Sequence, residues 1–355
     1  MAETATNKGK AAASAIARPT LRTIAEATGL AVTTVSRALK NEPEIAKATR
    51  ERVRAVADEL GYMPDRAALR LRTGQTNVIS YVLFPHSEII GFGTSVIAGL
   101  TEALRETQYH LIVTPHFPDM PAIQPIEYIL RNRMADGIIF SRTDPFDARV
   151  RLLLENDFPF VCHGRTELAT PHSFVDYDNF EFAKLATQRL IDKGRSNLML
   201  LNAPEAFTFS NHMRHGFMTA VRQSGVSFHV PSDLSIESPP QNIREACLNE
   251  LKSANPPDGF VCGGEVSAMA VMAAVDDLGL KVGKEVDIVA KQTSPLFDQI
   301  RPRIDTVYED LMETGRLLGR TMLRRLAGDP VSELQTIDRP RTLFADSGPD
   351  KTLTA

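Results

Sequence analysis

Three side chains near the N-terminus have the types and spacing to read DNA. If Val32 to Leu39 forms a helix, Val32, Thr33 and Arg37 share one outward face, because residues four apart stack on the same side. Arg37 can reach the O6 and N7 of a guanine with two parallel hydrogen bonds. Val32 and Thr33 can touch a thymine methyl, and Thr33 can also exchange a hydrogen bond with a base edge. Thr34, Ser36 and Thr49 carry short hydroxyls suited to phosphate oxygens, contacts that position a protein on the duplex without reading sequence.

Other chemistries lack their residues. The three cysteines, Cys162, Cys247 and Cys262, are far apart and show no Cys-x-x-Cys spacing. They read as reduced, buried thiols, neither a disulfide framework nor a zinc site. The eight histidines form no HExxH pattern, and no Gly-x-Ser-x-Gly elbow occurs. Gly91 and Gly93 with Gly99 miss the dinucleotide fingerprint, which needs its glycines tight against a strand end. The sequence therefore predicts no enzyme, no cofactor and no metal.

The elements that would carry the DNA-reading face are short. Thr20 as N-cap and Gly29 as stop bracket a helix over 21–28. Gly29 also permits the tight turn into the second helix, 32–39. A third helix is expected over 46–60, closed by Gly61. Leu21, Ile24 and Ala25, then Val35 and Leu39, then Val53, Val56, Ala57 and Leu60 recur at helical spacing and fill one small core. Charge follows the same division. Residues 18–76 hold 11 Lys and Arg against 7 Asp and Glu, in a chain whose net charge is −4. A basic module on an acidic body suits a nucleic-acid partner for the module alone.

From Gln75 onward, short apolar β-rich runs alternate with helical stretches, about ten strands over roughly 270 residues. Such alternation implies parallel βαβ units, and that many strands suit two doubly wound lobes. No apolar run approaches the length of about 18 residues that a membrane span requires. The first 17 residues read as a disordered cytoplasmic tail rather than a signal peptide. The expected organisation is a tail over 1–17, a helix-turn-helix domain over 18–65, a hinge and linker over 66–76, an effector-binding and dimerisation domain over 77–347, and a tail over 348–355.

Thr20–Thr76 resembles the DNA-binding headpiece of the LacI/GalR family. The resemblance rests on Ile24-Ala25, Thr34-Val35-Ser36-Arg37 with Leu39, Thr49-Arg50-Glu51-Arg52-Val53 and Gly61-Tyr62-Met63-Pro64. One position departs from the family: Ala31 stands where a capping Ser is usual, so the second helix is expected to begin less rigidly, with Thr33 partly compensating. The resemblance implies a small all-α headpiece plus an α/β two-lobed, periplasmic-binding-protein-like regulatory domain. It further implies a hinge helix over 66–72, in which Leu71 wedges into the minor groove and small residues such as Ala68 let two hinges pack.

For the body, the resemblance implies a small-molecule effector, usually a sugar, held between the lobes. Carried over position by position, the effector residues are Phe92, Arg165, Asp178 and Glu265, the last where the family has Asp. Two positions depart further. The family's ligand arginine falls on Met213, leaving Arg214 or His212 to take the role, and Gln292 replaces a usual acid. The stretch HGRTE (163–167) is similar to α-glucoside-type regulators. The expected protein is a cytoplasmic homodimer or tetramer that binds operator DNA as a repressor under sugar control. A sugar-binding protein with a vestigial headpiece is the alternative.

Overall fold

The structure, a computed structural model, describes residues 19–62, 74–85 and 87–345. The chain divides into two compact units that meet between Thr76 and Asn77.

Among its described residues the first unit holds three helices: α1 (Leu21–Thr28), α2 (Val32–Leu39) and α3 (Lys47–Glu59). Thr20 caps α1 by accepting from the Thr23 amide, while the Thr23 hydroxyl accepts from the Thr20 amide, so two otherwise orphaned donors are satisfied. Gly29 takes a left-handed conformation (φ 69°) that turns the chain into α2. Ile24, Ala25, Val35, Ala38, Val53 and Ala57 are buried together, with Leu21, Leu39, Val56, Leu60 and Tyr62 packed around them. Arg52 donates to the carbonyl of Thr28, and Arg54 to the side chain of Asn41, tying α3 to the other two helices.

The second unit contains two six-stranded sheets. The first lobe has β1 (Val78–Leu83), β2 (His110–Pro115), β3 (Gly137–Phe140), β4 (Phe160–His163), β5 (Phe174–Tyr177) and β11 (Gln335–Asp338), in the order β11-β5-β4-β3-β1-β2. The second has β6 (Asn197–Leu201), β7 (Ser227–His229), β8 (Gly259–Cys262), β9 (Asp287–Gln292), β10 (Asp305–Tyr308) and β12 (Arg341–Leu343), in the order β12-β10-β9-β8-β6-β7. All pairings are parallel except β10 with β12. The interior strands are buried along their lengths, as parallel strands covered on both faces must be.

Helices cover both sheets: α4 (Phe92–Leu104), α5 (Gln124–Asn132) and α6 (Ala148–Glu155) in the first lobe, and α7 (Asn179–Asp192), α8 (Thr208–Ser224), α9 (Pro240–Leu251), α10 (Glu265–Asp277) and α11 (Leu296–Gln299) in the second. The chain then returns to the first lobe as α12 (Leu311–Ala327). Here α12 crosses α4 backbone to backbone. A Cβ on Gly99 would lie 2.0 Å from the Met312 carbonyl oxygen, and one on Gly315 would lie 2.3 Å from that of Val96. Only glycine fits at that crossing. Sequence periodicity did not single out α12, although Asp310 caps its start and Gly328 ends it. It also missed β7 and the late edge strands β11 and β12, which are short and partly exposed.

Three segments cross between the lobes: β5 into α7, β10 into α12, and β11 into β12. All lie at the β5/β11 and β10/β12 edges. The two lobes are therefore covalently tied on one side of the cleft, and only side chains and loops meet on the other.

Candidate functional site

On the first unit, Val32, Thr33 and Arg37 are exposed, while Val35 and Ala38 from the same helix are buried. The turn of α2 thus separates a core face from an exposed face within eight residues. Thr34, Ser36 and Thr49 lie half-buried at its flanks. Ala31 takes the N-cap position with no side-chain cap bond, so the helix start lacks the fixing that a Ser would supply. One feature escaped sequence reasoning: the Arg37 guanidinium is paired with the carboxylates of Glu42 and Glu44 from the loop after α2. These hydrogen bonds and charges push its pKa up, chiefly through Glu42.

In the second unit, polar side chains collect where the strands of both sheets end, the usual position for ligands of open α/β sheets. Near the crossovers, Lys291 donates to Asn179 Oδ1 at 2.6 Å and pairs with Glu309 at 3.0 Å, its ammonium lying over the Tyr177 ring. Beside this group, Arg165 pairs with Asp176 at 3.1 Å and meets Nδ1 of His212 at 3.5 Å. Burial pushes the Asp176 carboxyl up to about 7, against the pull of Arg165. Burial, and then the positive charge of Arg165, pushes His212 down to about 4, so the ring is neutral at pH 7. Phe92, buried, stacks on His163 with ring centroids 5.6 Å apart.

Across the cleft from the crossovers, the lobes meet through Arg142. This buried first-lobe residue pairs with Glu88 of its own lobe at 2.7 Å and with Glu237 of the second lobe at 2.7 Å. Its guanidinium lies 4.3 Å from the ring centre of Phe84 and 5.4 Å from that of Phe207, one aromatic from each lobe. Next to it, the backbone amide and hydroxyl of Thr208 both donate to the Thr143 carbonyl, again between lobes. Burial raises the Glu237 pKa, with Arg142 opposing.

Residues 20–65 match the lacI family of bacterial regulatory proteins, and residues 187–345 match a periplasmic binding protein-like domain. The HTH-type transcriptional regulator AglR of Rhizobium meliloti (strain 1021) is 31% identical over 275 residues, which are 76% of this chain and 76% of AglR. The chain belongs to the lacI family. This family member is therefore a DNA-binding transcriptional regulator rather than an enzyme, with its headpiece present. Two solved structures show the same fold. The Lac repressor dimer bound to operator and the anti-inducer ONPF superposes with a TM-score of 0.78 at 17% identity, over 92% of this chain and 98% of that one. The transcriptional regulator CelR–cellobiose complex superposes at 0.66 and 22% identity, over 93% of this chain and 100% of that one. Among the described residues, no helix of this lacI-family chain is long and apolar enough to cross a membrane.

The residues that the family resemblance assigns to the effector fall into three groups. Phe92, part of the first-lobe core, stacks on His163, and Arg165 lies beside Asp176 and His212. Asp178, Glu265 and Gln292 also stand at strand ends, each with a structural bond. Asp178 caps α7 by accepting from the Glu181 amide. Oε1 of Glu265 accepts from the Thr293 and Ser294 amides and the Ser294 hydroxyl. Gln292 accepts from Thr306 and donates to the Ser294 carbonyl. Arg214 is not brought to the cleft. It is half exposed, pairs with Glu205 at 2.7 Å, and lines a surface groove of about 620 Å3 with His215, Arg222 and Phe228. Met213 is wholly buried in the second-lobe core. Of the three consecutive residues, His212 is the one that meets Arg165. A single turn of α8 decides this: positions one residue apart point about 100° away from each other. Ala68 and Leu71 lie outside the described residues.

Sequence reasoning passed over Asp176, Lys291 and Arg142. Each is a charged residue inside or just after a strand that is otherwise apolar. That is the available signal, since a charge buried in a parallel sheet demands a partner.

Proposed function

We propose that this lacI-family regulator is a cytoplasmic repressor whose operator affinity is set by a sugar bound between the lobes of its second unit. As a homodimer or tetramer it would place paired headpieces on a pseudo-palindromic operator, with Val32, Thr33 and Arg37 reading bases and Thr34, Ser36 and Thr49 holding phosphates. One observation carries the reading of control. The lobes are joined by chain on one side of the cleft and by the Glu88–Arg142–Glu237 bridge on the other. Such a cleft can hinge, and a ligand that prefers one lobe arrangement shifts the population toward it. Arg165 and His212, both partly exposed, offer what a sugar's hydroxyls need in donors and acceptors, and His163, stacked over buried Phe92, offers an aromatic surface for the ring. The CelR–cellobiose complex shows a sugar bound to a relative of the same fold. A headpiece with an intact core and an exposed reading face disfavours the alternative of a sugar-binding protein that no longer binds DNA.

Fluorescence anisotropy on labelled promoter fragments, repeated with a panel of disaccharides, tests this. The expected outcome is tight, salt-dependent binding that at least one sugar weakens or strengthens tenfold or more, about 1.4 kcal/mol of coupling. Operator affinity that is unmoved by a sugar shown calorimetrically to bind would sink effector control.

A further inference from the structure

Among the described residues, four buried oxygens at the facing strand ends have no partner, Ser141 Oγ, Asn202 Oδ1, Glu265 Oε2 and Thr293 Oγ1, and a fifth, Asp176 Oδ2, has only its ion-pair contact with Arg165. Each stands at the C-terminal end of a strand, in or after β3, β5, β6, β8 and β9 respectively, so the five converge from both lobes. Buried polar atoms nearly always have partners, and a cluster of exceptions marks where a ligand supplies them. The chemistry of this set is one-sided. The amide oxygen can only accept, as can the carboxylates when ionised, and the two hydroxyls can do both. The set calls for a ligand rich in O–H donors.

The cations of the cleft are already committed. Arg165 holds Asp176, Lys291 holds Glu309 and Asn179, and Arg142 holds both Glu88 and Glu237. Against these three cations stand six carboxylates, Glu88, Asp176, Asp178, Glu237, Glu265 and Glu309. A phosphate or carboxylate entering here would have to take a cation from a buried partner and leave that carboxylate facing a second negative charge. Neutral His212 offers no compensating charge.

We infer that the effector is an uncharged polyhydroxylated sugar, whose hydroxyls donate to this acceptor-lined cleft, and that sugar phosphates and sugar acids are excluded. The inference rests on the reading that the cleft is a sugar site, and adds the charge class that the site accepts. Asp176, held near its midpoint at neutral pH, can accept from a hydroxyl or share its own proton with one.

Isothermal titration calorimetry on the full chain separates the two claims. Matched pairs serve as probes: trehalose and trehalose 6-phosphate, glucose and glucose 6-phosphate, galactose and galacturonate, followed by maltose, sucrose, melibiose and raffinose. The expected result is that at least one uncharged sugar binds, while every anionic member binds at least about 100-fold more weakly than its neutral parent. An anionic sugar that binds as well as its parent overturns the charge inference and leaves the sugar reading standing. No binding by any member of either class overturns the sugar reading itself. Thr293→Val and Ser141→Ala place the sugar. Each removes a hydroxyl that bonds nothing else in the protein, so stability should hold while affinity for the bound sugar falls about fivefold. Unchanged affinity in both variants overturns the placement.

Discussion

The two units solve opposite problems. In the first, the side chains proposed to read DNA are exposed, lie within six positions of one another, and are aimed by a single short helix. In the second the candidate residues are buried, as Lys291 and Asn179 are, or half-buried, as Arg165 and His212 are, and their partners are remote in sequence: 47 positions separate Arg165 from His212, and 112 separate Lys291 from Asn179. A surface that meets a polyanion can stay hydrated until contact, and its charges are neutralised on arrival. A cleft that grips a small neutral molecule must bury polar groups beforehand, and each charge it buries needs a partner built into the fold. The lesson is that losing one charged side chain should weaken DNA binding in the headpiece but destabilise the fold in the body.

The largest expected effect tests that directly. Arg142→Ala leaves Glu88 and Glu237 buried without their cation and removes the bridge between the lobes. Chemical denaturation of the second unit should show a loss of about 3–5 kcal/mol. A loss below about 1 kcal/mol would mean the bridge is hydrated in solution, and the contrast between the units would collapse.

Next is Arg37→Ala, expected to lower specific operator affinity by about 1–3 kcal/mol and to relax base preference at one position, with unfolding of the second unit unaltered. Competition binding against operators mutated one base pair at a time is the measurement. Equal loss on every sequence would reassign Arg37 to a phosphate.

Asp176→Asn sharpens the buried side of the comparison. With its folded pKa near 7 and an unfolded value near 4, Asp176 keeps its proton in the folded state after the unfolded chain has released it. The native state then binds more protons than the unfolded state between pH 4 and 7. Its contribution to stability is therefore fully present below pH 4 and is lost as pH rises through 7, at no more than about 1.4 kcal/mol per pH unit. His212 works in the other direction. Its folded pKa is depressed to about 4, so its contribution is present above about 6.5 and lost as pH falls toward 4. The Asn variant should lose the decline toward pH 7 and keep the His212 trend. Denaturant midpoints taken from pH 4.5 to 8 would reveal a parallel, unshifted curve if Asp176 is solvated instead.

The smallest effect belongs to the exposed pairs. Glu42→Gln with Glu44→Gln frees Arg37 and removes two negative charges near the DNA. Exposed ion pairs are screened by water and contribute little, so operator affinity should rise several-fold at most. A fall in affinity would show that the two carboxylates pre-orient Arg37 rather than compete for it.

Much of this architecture was legible in the chain itself. The headpiece helices stand within a residue or so of their expected bounds, since Thr20, Gly29 and Gly61 punctuate them locally and the apolar spacing is helical. The two-lobed α/β body followed from strand–helix alternation. The helix α12 did not, because its decisive contact is the glycine crossing with α4, more than 200 residues earlier. Of the residues expected from family positions, the structure brings Arg165 to Asp176 and His212, and Phe92 to His163. It leaves Arg214 on the surface with Glu205, because helical phase separates it from His212 and no local signal reports which residue faces the other lobe.

The sequence by itself determined what kind of protein this is. Caps, turns and a short apolar period are local properties, and a headpiece built from them needs little else to display Val32, Thr33 and Arg37. Only the tertiary structure decided which buried charges meet. Asp176 with Arg165, Lys291 with Glu309, and Arg142 with Glu88 and Glu237 are pairings between strand ends that no spacing encodes. They arise because folding removes these groups from water, and a charge removed from water must find its partner wherever the topology delivers one.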